Sequence, residues 1–101
     1  MLERLKMPEK KQLEWSPRAR RNIEFIRDFI TPENPSAAQS VLDEIRNTAN
    51  SLQEFPSIGH IGKRKGTREL VLRKYPYTII YRVTSKKGGI VAVLHQARQY
   101  P

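Results

Sequence analysis

Two dipeptides do most to limit what this chain can fold into. Ser16-Pro17 and Asn34-Pro35 each set a short polar side chain directly before a proline. Serine or asparagine at a helix N-cap accepts a hydrogen bond from an orphan backbone N–H. Proline at the first helical position loses nothing, because its missing N–H would go unbonded there. Each dipeptide therefore predicts a helix start, and the residues that follow fit. Ala19, Ile23, Ile26 and Ile30, with Phe29 beside them, recur at helical spacing until Thr31-Pro32, where the residue before proline disfavours helical dihedrals. Ala38, Val41, Leu42, Ile45, Ala49 and Leu52 form a second stripe that runs to about Glu54, before Phe55-Pro56. Two amphipathic helices joined by a short link make an antiparallel hairpin, and its apolar side needs a surface to lie on.

The rest of the chain supplies that surface. Lys11–Trp15 alternates as a short strand. Ser57–Gly66 reads as a loop with three glycines and a basic cluster. Three β segments follow. Thr67–Lys74 places Leu70 and Leu72 on one face, with Glu69, Val71 and Arg73 on the other. Tyr77–Val83 places Tyr77, Ile79, Tyr81 and Val83 against Thr78, Ile80 and Arg82. Ile90–Ala97 is almost wholly apolar, as expected of a central strand covered on both faces. Tyr75-Pro76 and Lys86-Lys87-Gly88-Gly89 supply turns. The order is β-α-α-β-β-β. The predicted fold is α+β, a small antiparallel sheet with the helical hairpin packed on one face. The other face is left open, and Arg73 and Arg82 are candidates to project from it.

At 101 residues the chain is read as one domain over 11–101, preceded by a flexible basic arm over 1–10 in which Met7 offers a second start. There is no cysteine, hence no disulfide and no thiolate chemistry, which fits a reducing compartment. No apolar run approaches the ~20 residues needed to cross a bilayer, and residues 1–14 lack the apolar core of a signal peptide. The reading is a cytoplasmic protein with no membrane association. The net charge of +9 is placed unevenly: residues 22–58 carry six acids and two arginines, whereas residues 59–101 carry ten Lys/Arg and one acid, Glu69. Such asymmetry points to a polyanionic or acidic partner for the basic part. Lys63, Arg64, Lys65, Arg68, Arg73 and Arg82 are its candidate contacts, with Tyr81 as a stacking or packing aromatic.

The usual catalytic constellations are missing. His60 and His95 lie far apart with no acids at metal spacing, and there is no phosphate-binding glycine motif, so neither a metal nor another cofactor is expected. One cation-rich reaction remains open. RNA is cut when its own 2′-OH attacks the adjacent phosphate, which requires cations to stabilise the developing charge and groups to move protons. Arg68, Arg73, Arg82 and Arg98 would supply charge, and His95 or a tyrosine would move protons. Tyr77, Tyr81 and Tyr100 are also candidates to stack bases.

Several short motifs, in order, carry a resemblance. W-S-P-R-A-R-R-N-I at 15–23, N-P-S-A-A at 34–38, F-P-S-I-G at 55–59, G-T-R-E-L-V at 66–71, Y-P-Y-T-I-I-Y-R-V at 75–83 and V-L-H-Q-A-R-Q-Y-P at 93–101 resemble the RelE/ParE superfamily of bacterial toxins, closest to its ParE-like, plasmid-stabilisation branch. The resemblance covers Leu13 to the C-terminus. It implies the toxin half of a type II toxin–antitoxin pair, neutralised by a cognate antitoxin, with operator DNA reached only through the antitoxin complex. The superfamily divides over its target. RelE-like members cut mRNA on the ribosome by the 2′-OH route, whereas ParE-like members inhibit DNA gyrase by binding it. An arginine that RelE-like chains carry after the tyrosine opening a strand is replaced here by Thr78. Their lysine pair has only a loose counterpart in Lys63 and Lys65. The resemblance therefore implies ParE-like gyrase inhibition first. The alternative is a ribosome-dependent endoribonuclease, with Arg73, Arg82 and Arg98 on phosphate and His95 or Tyr100 in proton transfer.

Overall fold

A computed structural model describes residues 12–84 and 87–97. The candidates Arg98 and Tyr100, and the arm over 1–10, lie outside the described residues. The elements in chain order are β1 (Gln12–Trp15), α1 (Pro17–Ile30), α2 (Pro35–Ser51), β2 (His60–Ile61), β3 (Arg68–Val71), β4 (Tyr77–Val83) and β5 (Lys87–His95). This is the expected α+β order, with a two-residue strand added inside the loop predicted over 57–66.

Both helices start where the sequence says. Ser16 Oγ accepts the Ala19 N–H at 3.0 Å, and Asn34 Oδ1 accepts the Ala37 N–H at 3.0 Å, each with proline as the next residue. Ser16 also acts at long range. Its hydroxyl donates to the Val91 carbonyl at 2.8 Å, and its backbone N–H to the Ile90 carbonyl at 2.9 Å. A second tie lies one helical turn and a half further on, where the Val93 N–H donates to Asn22 Oδ1 at 3.0 Å. These bonds fix α1 directly over β5.

The sheet order is β1-β5-β4-β3-β2. Strands β2 to β5 are antiparallel, as expected, while β1 joins β5 in parallel, with Trp15 opposite Ile90. Strand β5 is thus interior, beside the middle strand β4, but Val91 and Leu94 face an open cleft, so it is covered on one face and not on both as expected, and it starts earlier than expected. Lys87, Gly88 and Gly89, predicted as a turn, pair with Gln12, Leu13 and Glu14 on one side, and Gly88 and Gly89 with Val83 and Arg82 on the other. Strand β3 is shorter than expected. The Leu72 N–H bonds the Tyr77 carbonyl at 2.9 Å, so the turn begins at Leu72 and Arg73 leaves the sheet.

The helical hairpin covers one face. Ala19 and Ile26 of α1, Val41, Ile45, Ala49 and Leu52 around α2, and Leu72, Tyr77, Ile79, Tyr81, Ile90 and Val93 from the sheet side form one buried cluster. Ile23, Ile30 and Leu42 pack against it half-buried. Phe29, predicted beside the α1 stripe, is instead exposed and stacks on Phe25 with ring centroids 6.2 Å apart. No helix among the described residues is long and apolar enough to cross a membrane.

Candidate functional site

The uncovered face of the sheet is built by strand alternation. In β4, Tyr77, Ile79 and Tyr81 point to the helices and are buried, which sends Thr78, Ile80 and Arg82 to the other side. Their register partners complete the surface: Glu69 lies opposite Ile80, Leu94 opposite Thr78, and Gly89 opposite Arg82. A methyl group added at Gly89 would meet nothing within 4 Å, so space stands beside the exposed Arg82. Between Ile80 and Tyr81 the register with β5 shifts: Ile80 faces Ala92 while Tyr81 faces Ile90, and Val91 is the extra residue of a bulge.

These residues line a cleft of about 370 Å³. Its floor is Ile80, Val91 and Leu94. Thr67, Thr78 and Gln96 give it polar edges, and Arg18, Lys63, Arg64 and Arg82 give it cationic ones. Glu69 is its one carboxylate, and its Oε2 accepts the Lys63 N–H at 3.3 Å. The turn that carries Lys63 and Arg64 is held tightly. The Gly62 N–H donates to the Thr67 carbonyl at 2.8 Å, and the Thr67 hydroxyl to the Arg64 carbonyl at 2.6 Å. Gly66 closes the turn with φ of 81°, a conformation that side chains other than glycine's disfavour.

The predicted residues divide by location. Lys63, Arg64, Arg82 and His95 meet in the cleft. Arg18 joins them from the first turn of α1; its place in a helical N-terminus gave no signal in the sequence, and only the packing of α1 over β5 brings it there. Lys65 is exposed on the same turn but does not line the cleft.

Three expected positions need correction. Arg73 lies beyond β3 in a separate groove of about 300 Å³, among Thr48 and Ser51 of α2 with Ile58, Leu70 and Val71. Arg68 turns toward the loop before β2, where its Nη1 donates to the Gly59 carbonyl at 2.7 Å and to the Ser57 carbonyl at 3.4 Å. Tyr81 is fully buried on the helix side, so it offers no face to a base. Its hydroxyl donates to the Pro56 carbonyl and accepts the Gly59 N–H, each at 2.9 Å. The shared face with Ile79 was the signal for this placement.

His95 stands at the end of the cleft, but its ring is engaged elsewhere. In register it faces Tyr77, whose ring it meets edge-on with centroids 5.2 Å apart, and Nδ1 accepts the Ala97 N–H at 3.0 Å. His95 therefore lines the cleft with Arg82 while its ring also packs on its register partner Tyr77. The arrangement offers four cations over an apolar floor. That is a surface suited to an acidic segment with apolar side chains, or to a phosphate backbone.

Comparisons with known proteins agree with this architecture. The family model described as "ParE toxin of type II toxin-antitoxin system, parDE" matches residues 13–100. The Y4kP protein of Sinorhizobium fredii is 38% identical over 92 residues, covering 91% of this chain and 95% of its own. Toxin RelE2 of Caulobacter vibrioides is 37% identical over 87 residues, covering 86% and 97%. Among solved structures, a chain of the chromosomal ParDE TA system from P. aeruginosa superposes with a TM-score of 0.77 at 22% identity, covering 85% of this chain and 96% of that one. The match over nearly the whole length, on a sheet and hairpin of the expected order, places this chain in the ParE toxin family of type II toxin–antitoxin systems.

Proposed function

We propose that this toxin acts by binding, with DNA gyrase as its target, and that a cognate antitoxin neutralises it by laying an acidic segment in the cationic cleft. The observation that carries the reading is the make-up of the cleft, in which four cations surround an apolar floor. Of the described nuclease candidates, Arg82 and His95 line the cleft and Arg73 lies in another groove, and the His95 ring is held edge-on to Tyr77 with Nδ1 accepting the Ala97 N–H. Phosphoryl transfer needs its cations and proton-transfer groups around one phosphate. A docking surface needs only complementary charge and a desolvated apolar patch, which Ile80, Val91 and Leu94 supply between the cations. The solved neighbour is itself a toxin–antitoxin system, which favours an antitoxin as the physiological partner here as well. In this reading the complex forms in the cytoplasm, and operator DNA is met only through the antitoxin.

The test is a pulse of toxin expression in bacterial cells, followed at once by labelling of DNA and protein synthesis. Early arrest of DNA synthesis with intact mRNA, and loss of supercoiling by purified gyrase, is the expected result. Early arrest of translation with cleaved mRNA would replace the gyrase reading by ribosome-dependent cleavage. Antitoxin association should slow steeply with salt, because exposed charges steer the encounter and are screened beyond ~10 Å at 0.1 M. A salt-insensitive on-rate would remove the electrostatic account of the cleft.

A further inference from the structure

We infer that Tyr81 is a positioning residue for the cationic cleft, although it lies on the opposite side of the sheet. The inference rests on the reading of the cleft as the contact surface, and it concerns how Lys63 and Arg64 come to stand there. These two residues sit on the turn between β2 and β3. Strand β2 is only His60-Ile61, with two register partners, Glu69 and Arg68. So short a ribbon holds its place poorly by itself. The segment entering it is gripped from the helix side. The Tyr81 hydroxyl bridges the Pro56 carbonyl and the Gly59 N–H, and its register partner Arg68 binds the carbonyls of Ser57 and Gly59.

The grip is close-fitting. A methyl group on Gly59 would come within 2.7 Å of the Tyr81 hydroxyl and 2.8 Å of the Glu69 carbonyl oxygen. Three residues beyond Gly59, the Gly62–Thr67 turn folds over the sheet and delivers Lys63 and Arg64 to the cleft. The phenol therefore fixes the start of a lever whose far end carries two of the four cations. Removing the hydroxyl leaves a buried N–H and a half-buried carbonyl without their partner, which releases the segment while the aromatic ring keeps filling the core.

The experiment compares Tyr81→Phe with the double variant Lys63→Ala/Arg64→Ala and with all three changes together. Hydrogen exchange is read on peptides covering 57–64 and on the central strands, and growth arrest is read in cells. The expected result for Tyr81→Phe is about tenfold faster exchange over 57–64, unchanged protection at Ile79 and Val93, and growth arrest weakened about tenfold. In the triple variant, the tyrosine change should add nothing to the double variant's loss. Unchanged exchange over 57–64, full growth arrest by Tyr81→Phe, or a loss that adds in the triple variant would each overturn the inference. Should Tyr81→Phe fail to fold, Gly59→Ala replaces it. It keeps the hydroxyl but displaces the segment, so the same weakening is expected and full arrest overturns the proposal. Full arrest by the double variant would instead overturn the reading of the cleft, and the exchange data alone would then decide the role of the phenol.

Discussion

The two faces of β4 carry opposite duties on alternate residues. Tyr77, Ile79 and Tyr81 are closed off beneath the hairpin, while Thr78, Ile80 and Arg82 look out into the cleft. The closed face has a buried side chain at almost every position and gains its stability from removing apolar area from water, about 25 cal/mol per Å². The open face gathers more cations than its one carboxylate, Glu69, can offset, an excess of like charge that an incoming anion would relieve. One strand thus separates what holds the fold from the surface proposed to bind. Changes on one face should move stability and spare recognition, and changes on the other should do the reverse.

Four substitutions test that division, in descending order of their effect on stability. Ile79→Ala opens a cavity at a fully buried position and should cost about 2–5 kcal/mol in chemical denaturation. A loss below about 1 kcal/mol would mean that the closed face is not the core. Ser16→Ala removes both the cap of α1 and the bond to Val91, for about 1–2 kcal/mol in the same measurement. Arg82→Ala should leave stability within about 0.5 kcal/mol yet abolish growth arrest on induction. Full toxicity of a folded Arg82→Ala protein would break the comparison. Lys87→Ala should do least. It removes an exposed 3.3 Å ion pair with Glu14 at the far end of the sheet, worth no more than about 0.5 kcal/mol, and toxicity should persist.

What could be read in the sequence follows from how local each signal is. The helix starts at Pro17 and Pro35 were legible because a cap and a proline decide them within four residues. The bounds of β4 were legible because alternation over Tyr77–Val83 has a single register that buries its apolar set. The start of β5 was not, because Gly88-Gly89 reads as a turn by local preference. Strands β1 and β4 flank it on both sides, and their ladders override that preference. The same limit applies to the site. Arg82 on the open face follows from parity, whereas Arg73 was lost to a turn beginning three residues early. Arg18 enters the cleft only because α1 crosses β5. The ring contact of His95 depends on its pairing with Tyr77, across a bulge at Val91 that no spacing rule reveals.

The parallel pairing of β1 with β5 bears on when the cleft first exists. Ser16 and Val91 are 75 positions apart, and β5 is the last strand in chain order among the described residues. Chains emerge N-terminus first, at about 5–20 residues per second. Until the final strand is out, β1 has no neighbour to pair with, β4 lacks one of its two, and the cleft lacks the floor that Val91 and Leu94 provide. The sheet and the floor of the cleft are thus complete only once β5 has paired with both of its neighbours. Under the proposed function, the surface that an antitoxin would cover is assembled only when β5 docks between β1 and β4.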